Sequence, residues 1–408
     1  MTAVETLLVH RPRVPGEPAG ASSTPIYQTA TFSVSPGGDW DYSRSGNPTR
    51  DVLEQHLARL DGAARSLAYA SGMAAVAAVL RLAPAGSEVV AGCDLYGGSL
   101  RFLAELARDR GVEVRLADTT NLTSLRDALS PRTSLVWLET PSNPRLGISD
   151  IKAICTLAHG VGAWVAVDNS IHSPYLQKPL EEGADLAVQS ATKALGGHSD
   201  LTAGVVSVSD PVLGERLAFR QNAEGNALSP FESWLLLRGM ETLAVRLPRQ
   251  LENARYLTQR LRAHRATKGL YTSPKSFLVS LETASVEESR RVIASLRLFR
   301  TTVSFGGVTS SASLPCEMSH ASVPKKWRGD QGLSPSLIRL SIGIEDPQDL
   351  WGDLLAALDG AAVSKQRRAP ESTAPQEHVG QAPGSLEVYH CSSTNSEQKP
   401  GPMATTRP

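Results

Sequence analysis

Trp164-Val-Ala-Val-Asp168 and, further along, Leu186-Ala-Val-Gln-Ser-Ala-Thr-Lys193 are short apolar runs that each finish on polar or charged side chains. Runs this short read as buried strands, because a helix would need a longer stretch with a wider period. Five further runs share the pattern, at 67–69, 88–91, 112–116, 135–138 and 204–208. Helix-length amphipathic stretches separate most of them. Strands alternating with helices predict an α/β fold whose core is a mostly parallel seven-stranded sheet with helices on both faces.

In such a sheet a ligand binds outside the carboxyl ends of the strands, so the residue that follows each run carries the chemistry. Those residues are polar: Ser71 and Gly72, Asp94 and Tyr96, Glu139, Asp168, then Ser190, Thr192 and Lys193. Each alone reads equally well as a cap or a turn. Together they mark one rim.

Outward from this core the character changes twice. Residues 1–60 form an arm rich in Pro, Gly, Ser and Thr that turns helical at 51–60. The large domain covers 61–245. Residues 231–264 read as one long helix with a leucine stripe, which leads into a smaller C-terminal α+β domain at 246–361. That unit has strand-like runs at 277–281 and 337–342 and helices at 286–296 and 347–358. The last stretch, 362–408, contains six prolines and a single leucine, too little apolar surface to offset ordering, and is expected to be a disordered tail.

Composition narrows the function classes. Forty-one basic and 41 acidic side chains among 408 residues give a net charge of zero, so there is no broad field to attract nucleic acid or an anionic membrane. A small-molecule substrate is expected. The four cysteines, Cys93, Cys155, Cys316 and Cys391, form no metal-ligand or disulfide spacing, and no metal is expected. No apolar run approaches the roughly 18 residues of a membrane span or the pattern of a signal peptide, which favours a cytoplasmic chain.

Lysine is scarce, nine in the whole chain, yet Lys193 stands among small and apolar residues at a strand end. Desolvation there lowers an amine's pKa and frees it as a nucleophile, as Schiff-base chemistry requires. Asp168 ends a neighbouring run and can keep a pyridine nitrogen protonated. Tyr96 can stack on a ring, with Gly97 and Gly98 leaving the backbone room. Ser71-Gly72-Met73 opens an alanine-rich helix whose free N–H groups suit a phosphate, with Ser190 and Thr192 as further donors.

These residues spell out a resemblance. Tyr42-Ser-Arg-Ser-Gly-Asn-Pro-Thr49, Ser71-Gly-Met73, Tyr96-Gly-Gly98, Glu139-Thr-Pro-Ser-Asn-Pro144, Asp168-Asn169, Ser190-Ala-Thr-Lys193 and Arg339-Leu-Ser-Ile-Gly-Ile-Glu345 are similar to the segments of the cystathionine γ-lyase and γ-synthase group. That group comprises the pyridoxal-phosphate enzymes of cysteine and methionine metabolism, and the likeness covers about 20–358. It implies pyridoxal 5'-phosphate as cofactor, Lys193 as its covalent anchor and proton shuttle, Asp168 on the pyridine nitrogen and Tyr96 on the ring. It assigns Gly72, Met73, Ser190 and Thr192 to the phosphate, and Arg339 to the substrate α-carboxylate with Asn143 and Ser304 as helpers. Tyr42 and Arg44 would reach the phosphate of a neighbouring subunit, which implies a homotetramer built as a dimer of dimers.

The resemblance also implies a reaction on an L-amino acid. Lys193 takes the Cα proton and then a Cβ proton, and the γ substituent leaves, giving a 2-oxo acid and ammonia. A nucleophile that adds instead gives γ-replacement, and β-lyase chemistry or a non-standard leaving group such as a halide stays open. A non-catalytic chain that keeps the fold is the reading from another class. Specificity signals are mixed. Val303 stands where the cystathionine enzymes carry glutamate, Gly98 where methionine γ-lyases carry cysteine, and Asp41 where γ-lyases carry glutamate. Arg101 matches an arginine that lines the distal carboxylate. Near 264–277 the chain is shorter than the family pattern.

Overall fold

The computed structural model describes residues 2–14, 20–33, 40–321, 323 and 332–360, and the backbone of 387–388. The seven expected strands are present as β1 (Arg65–Tyr69), β2 (Glu88–Gly92), β3 (Glu113–Ala117), β4 (Thr133–Glu139), β5 (Trp164–Asp168), β6 (Leu186–Ser190) and β7 (Gly204–Val208). They lie in the order β1-β7-β6-β5-β4-β2-β3. The five strands from β6 to β3 are parallel, whereas β7 runs antiparallel to both of its neighbours. Glu387–Val388 pairs in parallel with β3, and the rest of the tail expected at 362–408 lies outside the described residues.

Successive side chains of a strand point to opposite faces, and the interior strands are apolar on both. In β4, Leu135 and Trp137 join one core while Val136 and Leu138 join another. The first face is covered by α3 (Gly72–Leu80), α4 (Gly97–Arg110) and α8 (Pro211–Glu224), and the second by α5 (Leu122–Ala128) and α6 (Ile151–His159). The arm carries α1 (Val4–Val9), which its composition did not predict, and α2 (Pro48–Asp61). Leu8 and Leu53, on those two helices, pack in a third core that also holds residues of α9 (Pro230–Met240). A four-residue helix, α7 (Ser173–Leu176), follows β5.

The smaller unit is a five-stranded sheet in the order β10 (Arg300–Thr301), β11 (Ser311–Ser313), β12 (Leu337–Ser341), β9 (Leu278–Glu282), β8 (Gly269–Thr272). The helices α11 (Val286–Ser295) and α12 (Pro347–Asp359) pack on it. The single helix expected over 231–264 is two, α9 and α10 (Leu243–Ala263), with Thr242 at φ −101°, ψ 2° between them. The break coincides with a contact between Gly239 and the turn after β6. A Cβ on Gly239 would lie 2.4 Å from the Gly196 carbonyl oxygen, and the Gly239 carbonyl accepts from Arg246 Nη2 at 2.9 Å, away from the helix ladder.

One buried row of α10 binds the two units together. Arg246 donates to the carbonyls of Ala194 (3.0 Å) and Leu195 (3.3 Å). One turn on, Gln250 donates to those of Gly307 and Ile342, and Asn253 to those of Gly343 and Glu345. The expected domain limit at 245 therefore falls inside a helix that both cores share, with Leu247 in one and Leu257 in the other.

The C-terminus of α2 buries a carboxylate. Asp61 accepts from Gln189 Nε2 and Ser207 Oγ, has no salt bridge among the described residues, and is pushed up to about 7 by burial. An acid with a raised folded pKa binds a proton in the folded state that the unfolded chain has already released. Its contribution to stability is thus present below about pH 4 and is lost as pH rises through about 7. Asp61→Asn stays neutral throughout. The melting temperature of the wild type should therefore fall relative to the variant between about pH 4 and pH 7; a difference that stays constant with pH would refute the assignment.

Candidate active site

The carboxyl ends of the parallel strands converge as expected. Glu139 of β4 lies opposite Asp168 of β5, and Asp168 opposite Val188 of β6. After β6 the chain turns tightly: Lys193 N donates to Ser190 O at 3.0 Å, and Gly197 N to Lys193 O at 2.8 Å. The next two carbonyls are the ones held by Arg246, whose buried guanidinium burial lowers to about 10. The lysine is thereby fixed from behind.

Its amine donates to Ser304 Oγ at 2.9 Å and sits 4.9 Å from the centroid of the Phe305 ring. Burial lowers it to about 8 and Arg339 adds repulsion, while Asp168 opposes the shift. Burial raises Asp168 above the usual carboxylate range, against two hydrogen bonds from Ser170, whose N is 3.0 Å and Oγ 2.6 Å from Oδ1. A lysine at about 8 is a usable base near neutral pH.

Arg339, in the middle of β12, is 2 % exposed and makes no salt bridge among the described residues. Nη1 donates to Asn143 Oδ1 at 2.9 Å and Nη2 to the Val303 carbonyl at 3.0 Å, while Nε has no partner. Burial lowers it to about 10. A desolvated guanidinium fork supplied only with neutral oxygens is suited to an incoming carboxylate.

At the opposite side, Ser71 caps α3 by accepting from Ala74 N at 3.0 Å, which leaves the N–H groups of Gly72 and Met73 without an acceptor among the described residues. A Cβ on Gly72 would lie 2.7 Å from Ser190 Cβ, and one on Gly204 2.1 Å from Ser71 O, so both glycines hold this cradle close to the sheet. Thr192 is tied to the start of β7 by its hydroxyl. Its hydroxyl donates to Ala203 O and accepts from Ala203 N.

The Tyr96 ring and the Met73 sulfur cover Gly98, where a Cβ would lie 2.5 Å from Tyr96 Cε1. Tyr96 N donates to Glu139 Oε2 at 2.9 Å. Glu139 was legible as a strand-end carboxylate but had no role; burial and the nearby Asp168 and Asp94 raise it well above its ordinary value. Phe305, Arg246 and His320 were not singled out at all. The His320 ring lies 3.2 Å from Leu95 O, beside Tyr96, and no local sequence pattern announces that contact.

The specificity candidates are scattered. Val303 is exposed next to Ser304, Arg101 is exposed on the first turns of α4, and Asp41 is exposed on the arm. Tyr42 and Arg44 stay on the arm: Arg44 lies over the Tyr42 ring and donates to Asn222 O at 2.7 Å, with no bond to Lys193 or its neighbours.

Residues 5–359 match the family model described as Cys/Met metabolism PLP-dependent enzyme. The chain is 46% identical over 371 residues to the chloroplastic cystathionine beta-lyase of Arabidopsis thaliana, covering 86% of this chain and 80% of that one. It is 38% identical to the cystathionine gamma-lyase of Bacillus subtilis over 374 residues, 87% of this chain and 99% of the relative. A solved cystathionine gamma synthase from Xanthomonas oryzae pv. oryzae, in complex with cystathionine, superposes with a TM-score of 0.85 at 38% identity, covering 88% and 98% of the two chains.

The turn behind Lys193 generates a test. Gly197 has φ +71°, and a Cβ there would lie 2.1 Å from Arg246 Nη1. Gly197→Ala should cost about 2 kcal/mol or more, from the left-handed backbone and the overlap together. Melting temperature and cofactor content measured on one preparation should fall together; wild-type values for both would show that the turn does not rest on Arg246.

Proposed function

The chain belongs to the Cys/Met metabolism family of pyridoxal-phosphate-dependent enzymes, and from that premise we propose that it is a carbon–sulfur lyase that eliminates a thiol from the side chain of an L-amino acid. Its cofactor is pyridoxal 5'-phosphate. The observation that carries the proposal is the pair formed by the carboxylate-free fork of Arg339 and the Lys193 amine, which meet through Ser304 and Phe305.

The residues fit the cofactor. Lys193 offers a partly neutral amine, Asp168 a carboxylate, and α3 two free N–H groups for a phosphate, with Ser190 beside them. Tyr96 offers a ring held in place through its own N–H by Glu139. When bound, the cofactor supplies an electron sink for charge that develops at Cα.

The chain's own groups do the rest. Arg339 and Asn143 take the α-carboxylate, which fixes Cα relative to Lys193. Ser304 accepts from the amine and aims it. At about 8, roughly a tenth of such amines are neutral at pH 7, so Lys193 removes the Cα proton and can return it. The exposed Val303, next to Ser304, places no charged group where a leaving group would lie. The exposed Tyr42 and Arg44 suit a role in a neighbouring subunit's phosphate site, within a homotetramer.

For the position of the broken bond, the 46% identity to the plant cystathionine beta-lyase favours Cβ–S cleavage of a cystathionine-like thioether. The second reading is the γ-elimination expected from the sequence, which the identity to the Bacillus gamma-lyase supports. Incubating the purified holoenzyme with L-cystathionine, L-methionine and an O-acylhomoserine, with and without a thiol, separates them. Pyruvate with homocysteine is expected from cystathionine. 2-Oxobutanoate would move the bond to Cγ, a new thioether without any 2-oxo acid would make the chain a γ-replacing enzyme, and no product from any substrate would overturn the lyase.

A further inference from the structure

Phe305 follows Ser304 in the loop between β10 and β11, and two cations use its ring. Lys193 Nζ lies 4.9 Å from the ring centroid and Arg339 Cζ 5.1 Å from it. Both distances fall within the range at which a cation is attracted to the negative face of an aromatic ring. Both cations lack a salt-bridge partner among the described residues, and each repels the other.

The ring cannot easily drift. Phe277, fully buried, packs against it with centroids 6.3 Å apart. The next residue, Gly306, is clamped on both sides: a Cβ there would lie 2.7 Å from Ala194 N, in the turn of Lys193, and its N–H donates to Ser341 Oγ at 2.9 Å, two residues from Arg339. The backbone that carries Phe305 is therefore wedged between the segments that carry the two cations.

We propose that Phe305 is the electrostatic bridge of this site: its ring stabilises positive charge on the nitrogen of Lys193, including when that nitrogen is bonded to the cofactor, and sets the gap between that nitrogen and the carboxylate fork of Arg339. The inference rests on the reading of Lys193 as the cofactor's anchor. It goes beyond that reading by giving a role to a side chain with no titratable or hydrogen-bonding group. Other charges facing Lys193 are Arg339 from β12 and Asp168 from β5; Glu139 of β4 and Tyr96 act on Arg339, and Glu139 also faces Asp168. None of these changes in a Phe305 variant.

The test is a pH titration of the visible absorbance of holoenzyme, which reads protonation of the nitrogen linking Lys193 to the cofactor. Phe305→Leu keeps apolar bulk and removes the ring; Phe305→Tyr keeps the ring. Loss of the ring disfavours the charged form, so F305L should titrate about half a unit to one unit lower than wild type, with F305Y close to wild type. A wild-type titration for F305L, or an equal shift in both variants, overturns the bridge while leaving Lys193 as anchor. A wild type with no visible band removes the anchor and the bridge together.

Discussion

The site is organised by a shortage: two cations, Lys193 and Arg339, lie near one aromatic ring, that of Phe305, and neither has a carboxylate bound to it among the described residues. Taking a guanidinium out of water without a counter-ion is costly, and it is tolerated only if neutral oxygens replace the lost hydration. Asn143 and the carbonyls of Val303 and Ser304 do so for Arg339, while the Ser304 hydroxyl does so for Lys193. A resident carboxylate on Arg339 would stabilise the buried charge better and would fill the place proposed for the substrate's own carboxylate.

Holding those neutral oxygens in place requires a rigid frame. The α10 row provides it, because Arg246, Gln250 and Asn253 fix two carbonyls after Lys193, that of Gly307 after Phe305 and those after Arg339 from a single helix. Arg246 repeats the theme of the site, a buried guanidinium satisfied by carbonyls and a hydroxyl alone. At Gly239 and Gly306 a neighbouring backbone comes too close for a side chain, and at Gly197 the Arg246 guanidinium does. Misplacing any of these three segments would change the distance between base and fork.

How much was legible depended on range. The parallel sheet and the rim were readable because an apolar run that ends in Asp168, or in Ser190 to Lys193, declares both strand and polar end within a few residues. Arg339 was not, since Leu-Ile-Arg-Leu-Ser reads as an ordinary strand and only the resemblance singled it out. The contacts of Phe305 with Lys193, of Arg246 with Ala194 and of His320 with Leu95 join distant parts of the sequence, which no periodicity encodes. The strands β10 and β11 escaped because Arg300–Thr301 and Ser311–Ser313 carry no apolar alternation, and the helix expected over 231–264 breaks beside a glycine contact with a distant turn. Thr192 followed its motif into the site, but its hydroxyl is bonded to Ala203.

All of this turns on the nitrogen of Lys193 as the atom that holds the cofactor. The direct measurement is the visible absorption spectrum of the purified protein with pyridoxal 5'-phosphate, compared with that of Lys193→Ala. The wild type should show a visible band that borohydride removes, and the variant should lack that band while still binding the cofactor non-covalently through the α3 cradle. A colourless wild type, or a variant that keeps the same band, would contradict the account.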